Sequence, residues 1–485
     1  MSSPSDVFND TLNAAEQGDV EAQFHVGQMY ASGYGVASDD VQATEWFHVA
    51  AERGHAKAQC NLGWLYRTGR NVVQDAPKAV EWYRQAAQQG EPYAQSSLGA
   101  MYEAGQGVAQ DDEQAVQWFC RAAEQGYADA QCRLGWLYWT GRGAVQNNER
   151  AVQWFGKAAE QGNIDAQVAL GTMYQHGQGV AQDDKKAAQW YRKAAEQGDA
   201  DAQCTLGVMY REGRGVAQDN VQAAAWYRLS AEQGDANAQC NLGNMYAFGQ
   251  GVAQDDEQAV YWYHQSAKQG YVDAQCNLGA MYQHGRGVAQ DDEQAVRWYR
   301  KAAEQGCATG QFNVAVMYEN GRGVAQDDEQ AVRWYRLSAE QGYAAAQCHL
   351  GWMYDQGRGV ARDEEQAVHW YRLSAELGHV NAQCNLGVMY ENGRGVAQDD
   401  EKAVAWYHQA AQRGSNVALY NMGEMYRRGR GVPLDRQKAL TYYGLACDGG
   451  IKQACQRQAA LQQESAEEGV TVGKSIKAFF SKFFS

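Results

Sequence analysis

A strict internal repeat constrains this chain more than any other feature of its sequence. A small residue recurs every 36 residues, as alanine in eleven units and as Gly310 in the other one. Twelve such units cover Ala22 to Gln453, or 432 of the 485 residues, without insertion or deletion. Units of one length make the same turn and meet their neighbours in the same way, so the sequence predicts a solenoid.

Each unit contains the pattern of two helices joined by a glycine-containing loop. In the third unit, residues 94–104 carry apolar residues at i, i+4, i+7 and i+8, the spacing of one helical face. Gly105-Gln-Gly107 interrupts this helix, and Asp111 is the predicted N-cap of a second one. Glutamine follows the cap by three residues in seven units, as in a capping box. Gly126 has the position of a C′ glycine in the left-handed conformation.

The unit, A-Q-x-x-L-G-x-M-Y-x-x-G-x-G-V-x-x-D-x-x-x-A-x-x-W-Y-x-x-A-A-x-x-G, resembles the Sel1-like repeat, a 36-residue relative of the tetratricopeptide repeat. The G-x-G-V loop, as at 285–288, separates it from the shorter tetratricopeptide loop. The resemblance implies an all-α, right-handed α/α superhelix that acts as an adaptor in protein complexes, and a bacterial source. We expect four segments: an N-terminal capping half-repeat at 1–21, twelve repeats at 22–453, a capping helix at 454–468 and an amphipathic tail at 469–485.

The C-terminal tail differs in composition from the repeats. Residues 471–485 contain three lysines and no acidic residue. On a helix, one apolar face would carry four phenylalanines: Phe479, Phe480, Phe483 and Phe484. Two interpretations stay open, a helix that covers the last repeat and an interfacial helix that makes weak membrane contact.

Charge and hydropathy exclude several classes of protein. The formal net charge of −16 disfavours a nucleic-acid partner. No apolar stretch approaches the roughly 18 residues that a membrane span needs. The first ten residues lack a basic segment followed by an apolar run, so no secretory signal is expected. We therefore predict a cytoplasmic protein, monomeric and without a cofactor.

An enzymatic alternative comes from the cysteine-rich branch of the family, some members of which are linked to β-lactam binding or hydrolysis. The sequence contains no S-x-x-K, S-D-N or K-T-G motif, which that chemistry requires. The ten histidines are scattered and form no H-E-x-x-H motif or zinc-type cluster. The sequence therefore favours a non-catalytic protein.

Seven of the eleven cysteines occupy one column of the first helix. Neighbouring first helices are expected about 8–10 Å apart, whereas a disulfide needs Cα atoms within about 7 Å. These cysteines are therefore predicted to be buried thiols. Cys447 and Cys455 resemble the C-x7-C pairing of the secreted branch, but without a signal peptide we expect them to be reduced.

Other columns have structural interpretations. Eleven of the fifteen tryptophans share one column of the second helix, and the first helix has a tyrosine column. Both are predicted to fill the core between repeats. The Asp-Asp-Glu runs, such as 255–257, are predicted to cap helices rather than to bind a cation.

Binding is expected where the repeats differ. Positions three, six and ten after the leading small residue vary and form one stripe of the first helix, which usually lines the concave side of an α-solenoid. Amides there can hold the backbone of an extended peptide, because an amide both donates and accepts hydrogen bonds. Position three is asparagine in six units: Asn61, Asn241, Asn277, Asn313, Asn385 and Asn421.

Aromatic residues add candidate anchors to this stripe. Three tryptophans occupy position six, Trp64, Trp136 and Trp352, and Trp139 lies one turn beyond Trp136. With Arg133 they are of the residue types that dominate binding energy at interfaces. We predict a protein or peptide partner, and the acidic body favours a basic one.

Overall fold

The computed structural model describes residues 3–464, and all regular secondary structure in that range is α-helical. Each repeat contributes two helices of 13 residues. The helices are α1 Pro4–Glu16, α2 Val20–Ser32, α3 Asp40–Glu52, α4 Ala56–Thr68, α5 Ala76–Gln88, α6 Pro92–Ala104, α7 Asp112–Glu124, α8 Ala128–Thr140, α9 Asn148–Glu160, α10 Ile164–His176, α11 Asp184–Glu196, α12 Ala200–Glu212, α13 Asn220–Glu232, α14 Ala236–Phe248, α15 Asp256–Lys268, α16 Val272–His284, α17 Asp292–Glu304, α18 Ala308–Asn320, α19 Asp328–Glu340, α20 Ala344–Gln356, α21 Glu364–Glu376, α22 Val380–Asn392, α23 Asp400–Gln412, α24 Asn416–Arg428, α25 Arg436–Asp448 and α26 at 452–464.

The chain forms two compact units. The first contains the residues up to 245 together with 249–253, and the second contains 246–248 and the chain from 254 onward. Within each unit, a helix packs mainly against the helices that precede and follow it in sequence. The predicted all-α solenoid of paired helices is confirmed.

The helix ends follow the sequence signals. The Asp111 carboxylate accepts a hydrogen bond of 2.9 Å from the Gln114 N–H at the start of α7. In the second helices the cap side chain accepts from the backbone in this way. A capping box with both of its hydrogen bonds is found at α1, where Ser3 and Asp6 each accept from the backbone N–H of the other. Gly126 has φ +91°, the left-handed conformation predicted for it.

The deepest core position is the aromatic residue directly after the recurring tryptophan, such as Tyr227, whose side chain is fully buried. The helical pattern places both aromatic residues on the apolar face and does not distinguish their depths. The Tyr227 ring lies on a glycine of the first helix: a Cβ added at Gly207 would come within 2.7 Å of it. Trp226 itself is half-buried, as is most of the tryptophan column. The first-helix tyrosines, such as Tyr210, are also mostly half-buried, so both columns line the core rather than fill it.

A second contact unforeseen from sequence is a ladder of buried glutamines between helices. Gln95 in α6 donates from Nε2 to the Ala87 carbonyl at the end of α5, at 3.0 Å. Its Oε1 accepts from Nε2 of Gln125, the C-cap of α7, at 2.8 Å. One amide therefore ties three helices of two repeats together. The same Gln–Gln bond joins Gln59 to Gln89, Gln131 to Gln161, Gln167 to Gln197, Gln203 to Gln233, Gln275 to Gln305 and Gln311 to Gln341.

The ladder is interrupted where the donor is replaced. Leu377 stands at the C-cap of α21, and Oε1 of Gln347, its would-be acceptor, is buried without a hydrogen-bond partner. Oε1 of Gln383 is in the same state because its donor position holds Arg413. A buried unpaired carbonyl oxygen costs about 1–3 kcal/mol.

Replacing Leu377 with glutamine should repair this break. Leu377 is 60% exposed, so little apolar burial is lost, and the new Nε2 can reach Gln347 as Gln341 reaches Gln311, at 2.7 Å. We expect a gain of about 1 kcal/mol in the free energy of unfolding, measured as a higher denaturant midpoint. The matched control, Gln341→Leu, should lower the midpoint. A Leu377→Gln protein no more stable than the parent would contradict the role assigned to the ladder.

The two ends of the repeat array are covered by different helices. At the N-terminus, Phe8 of α1 is buried, and its ring meets Tyr30 of α2 edge-on at 5.4 Å. At the C-terminus, Leu461 of α26 is buried in the last core cluster. Cys447 and Cys455 are joined by a disulfide with Cα atoms 4.8 Å apart, so the expectation that they are reduced is wrong. The disulfide joins the end of α25 to the start of α26 across the short turn between them.

The cysteine column is confirmed as buried thiols: Cys60, Cys132, Cys204, Cys240, Cys276, Cys348 and Cys384. Burial raises the pKa of Cys132 to about 12, and Asp165 adds to the shift. A thiol with such a pKa is protonated at neutral pH and is a poor nucleophile. The column therefore has a packing role.

Candidate functional site

The six asparagines at position three are all half-buried along the first helices. Asn61 and Asn241 belong to the first compact unit, and the other four belong to the second. Asn241 is already engaged within the protein, because its Oδ1 accepts from Arg211 at 2.9 Å and its Nδ2 donates to Asn237 at 2.8 Å. The six amides are therefore not equivalent as ligand-binding groups.

Trp64 forms part of two cavities on the first-helix side of the N-terminal repeats. One, of about 550 Å³, also has Gln28, Asn61 and Phe47 among its lining residues. The other, of about 390 Å³, shares Gln28 and Asn61 and adds Tyr93. The sequence-predicted pair Asn61 and Trp64, one turn apart on α4, therefore lines both.

Trp352 lines a third cavity, of about 460 Å³, in the second compact unit. Asn385 from the next first helix lines it too, together with Glu319 and His349. Arg358 lies over the Trp352 ring, with its guanidinium carbon 5.1 Å from the ring centroid. The structure thus brings together two predicted residues, Trp352 and Asn385, that are 33 positions apart in sequence.

The Glu319 carboxylate gives this cavity a fixed negative group. Burial disfavours its ionisation, but the neighbouring His349, the hydrogen bond from Tyr335 and the charge of Arg358 together outweigh burial and hold the pKa of Glu319 below its usual value. The nearest ring nitrogen of His349 is 3.6 Å from Glu319, and Arg358 is 3.8 Å from it. The carboxylate is therefore ionised at neutral pH and oriented by three neighbours.

Trp136 and Trp139 form an aromatic pair on α8. Their ring centroids are 4.9 Å apart, and Trp136 also meets Phe155 edge-on at 5.5 Å. Trp136 is 38% exposed, and Arg133, one turn earlier, is exposed as well. Trp139 is half-buried and donates from its indole nitrogen to Gln178 at 3.0 Å. Trp136 and Arg133 are therefore the accessible members of this group.

Sequence reasoning missed the role of the second aspartate in the Asp-Asp-Glu runs. The first aspartate caps the helix as predicted, whereas the second binds an arginine 30 residues later, in the G-R-G loop of the next repeat. Arg430 Nη2 is 2.7 Å from Asp400, and Nη1 is 3.0 Å from Glu391 on the first helix. The hydrogen bond from Arg430 lowers the pKa of Asp400. The recurrence of arginine at this loop position was the sequence signal for the contact.

Part of the predicted site lies outside the described residues. Phe479, Phe480, Phe483 and Phe484 belong to the segment after residue 464, as do 465–468 of the predicted C-terminal capping helix. Within 3–464, no helix is both long and apolar enough to cross a membrane.

Helix pairs of constant length, joined by G-x-G loops and stacked through the same contacts, define an α-solenoid repeat protein. The chain belongs to the Sel1 repeat family, whose model matches twelve consecutive segments that together cover 20–451. Solenoids of this class typically act as non-catalytic scaffolds for protein–protein interaction.

Two solved structures illustrate the relationship. The crystal structure of c5321, a protective antigen present in uropathogenic Escherichia coli strains and displaying an SLR fold, has a TM-score of 0.80 and 38% sequence identity, covering 95% of this chain and 94% of that chain. A Sel1 repeat protein from Oxalobacter formigenes has a TM-score of 0.54 and 35% identity, covering 64% of this chain and 90% of that chain. No curated protein matches the chain significantly.

Proposed function

We propose that the protein is a non-catalytic scaffold that binds an extended segment of a partner protein along its first helices. The observation that carries the proposal is the coincidence of variable residues with cavities: Trp64 with Asn61, and Trp352 with Asn385, line cavities of about 390–550 Å³. Residues that serve only packing would be expected to recur in every repeat. Position six is tryptophan in three repeats alone.

The chemistry of these cavities suits a peptide. An indole supplies a large apolar surface with little conformational entropy to lose, which is why tryptophan is enriched among binding hot spots. The neighbouring amide can both donate to and accept from a peptide backbone. Glu319 and the net charge of −16 favour a segment with lysine or arginine and speed its encounter at low salt.

We expect Trp64→Ala and Trp352→Ala each to weaken the binding of a peptide selected from a random library by tenfold or more, because each removes a wall of its cavity. Tenfold corresponds to about 1.4 kcal/mol. Isothermal titration calorimetry measures the affinities. Val208→Ala, at position six of α12, is the matched control and should bind as the parent does.

Thermal melting separates this proposal from a packing role. If both tryptophan variants lose stability while their affinity for the peptide stays within twofold of the parent, the residues belong to the core and the first-helix site is wrong. Trp136→Ala extends the test to the exposed pair on α8, where its smaller burial predicts little loss of stability.

The tail is proposed as an amphipathic segment, and flotation with liposomes distinguishes its two interpretations. If it anchors the protein, the full chain should float with anionic vesicles and a protein that ends at Glu468 should not, with equal melting temperatures for both. If it covers the last repeat, neither protein should float and the shorter one should melt at a lower temperature.

A further inference from the structure

Helix α11 departs from most other second helices in its first turn, where two adjacent lysines follow Asp184. Lys185 and Lys186 occupy two positions that hold Glu-Gln in five other repeats, as at Glu113-Gln114 and Glu293-Gln294. Carboxylates stabilise the N-terminal turn of a helix, and cations destabilise it, because the free N–H groups there carry partial positive charge. Lysine also stands at the position of Lys186 in three other repeats, where it pairs with the N-cap aspartate as Lys186 does. Lys185 has no such partner, so it is the residue that opposes the local stability of α11.

These lysines belong to a larger basic surface. A cavity of about 680 Å³ opens on the outer side of α11, and its lining contains four cationic side chains and one carboxylate, Glu196. The cations are Lys185, Lys186, Arg192 and Lys193, and all four are exposed. The protein as a whole, in contrast, has a net charge of −16.

The charges of this surface are little neutralised by the protein itself. Asp184, in the first turn, is 3.4 Å from Arg214 of the next loop, so its charge is already matched. Lys186 contacts its N-cap, Asp183, at a distance of 3.9 Å. Within 3–464, Lys185 has no ion pair with a carboxylate, which leaves it available to a ligand.

Aromatic rings position two of the ammonium groups. Lys193 Nζ lies 4.0 Å from the centroid of the Trp190 ring, and Lys186 Nζ lies 5.2 Å from that of Tyr174. Arg192 donates a hydrogen bond to the Tyr210 hydroxyl. Cations held over rings lose less side-chain freedom when an anion binds than cations on a bare helix do.

We propose that the outer face of α11 is a second interaction surface, which binds a segment of a partner protein rich in aspartate and glutamate. The charge of the surface is opposite to that of the protein as a whole, so it would orient an acidic partner toward this repeat. This surface is centred on a second helix, whereas the other proposal is centred on tryptophans and asparagines of first helices, and the cavities of the two proposals share no residue. Either proposal can therefore fail without the other.

The repeat that contains α17 provides an internal comparison. Arg300 and Lys301 occupy the positions of Arg192 and Lys193, and Lys301 Nζ lies 4.1 Å from the Trp298 ring centroid, but Glu293 and Gln294 replace the two lysines. The two helices also differ at Ala188 and Gln189, which Val296 and Arg297 replace, so α17 keeps a third cation but lacks the lysine pair to which the proposal assigns binding.

The test uses the full chain and a fluorescein-labelled oligoglutamate peptide, with binding followed by fluorescence anisotropy at several salt concentrations. The double variant Lys185→Glu/Lys186→Gln introduces the Glu-Gln pair that five other repeats have, so it should fold and melt at the same or a higher temperature. We expect it to bind the peptide at least tenfold more weakly and with a smaller dependence on salt. Transfer of the lysines by Glu293→Lys/Gln294→Lys should create a second binding site.

The outcomes that overturn the proposal are equally definite. One is an affinity of the Lys185→Glu/Lys186→Gln variant within twofold of the parent. Another is a stoichiometry unchanged by the lysine transfer. A third is binding of single-stranded DNA as tight as that of oligoglutamate, which would make the surface a general polyanion site rather than one for an acidic protein segment.

Discussion

The close approach of the two helices in each repeat is the constraint on which the architecture depends. A glycine on the first helix leaves room for the flat face of an aromatic ring from the second, and any side chain at Gly207 would collide with Tyr227. Burial of that ring in turn raises the pKa of its hydroxyl well above the usual value. The glycine–ring contact recurs in most repeats with nearly the same geometry, and in the repeat of Tyr335 the glycine is replaced by Ala315.

Two polar systems connect the repeats on either side of this apolar contact. The glutamine ladder ties most first helices to the second helices around them. The loop arginines, such as Arg322 with Asp292 at 2.8 Å, join successive repeats at the surface. The bond from Gln95 to the Ala87 carbonyl is buried, so it contributes more to stability than a half-exposed ion pair does.

Much of the fold could be predicted from sequence because the signals are local and repeated. Asp111 and Gly126 mark helix ends through backbone hydrogen bonding and backbone conformation, which depend on a few neighbouring residues. The greater depth of Tyr227 compared with Trp226 could not be predicted this way. Both adjacent aromatic residues fit the apolar face of the helix, and their depths differ only once the direction of each side chain is known. The redox state of Cys447 and Cys455 depended on the turn between α25 and α26. At the candidate site, the variable positions were evident from internal comparison, whereas the pairing of Trp352 with Asn385 required the stacking of separate helices.

The interruptions of the glutamine ladder coincide with the candidate cavities. Oε1 of Gln347 and Gln383 is unpaired on the two first helices, α20 and α22, that supply Trp352 and Asn385, and Oε1 of Gln23 is unpaired in the repeat beside Trp64. Arg53 and Arg413 stand at two of the three missing donor positions, and each donates instead to a backbone carbonyl, of Gly18 and Gly378 respectively. Leu377 has no donor to offer, so opening the joint beside the Trp352 cavity costs about 1 kcal/mol less than opening an intact joint.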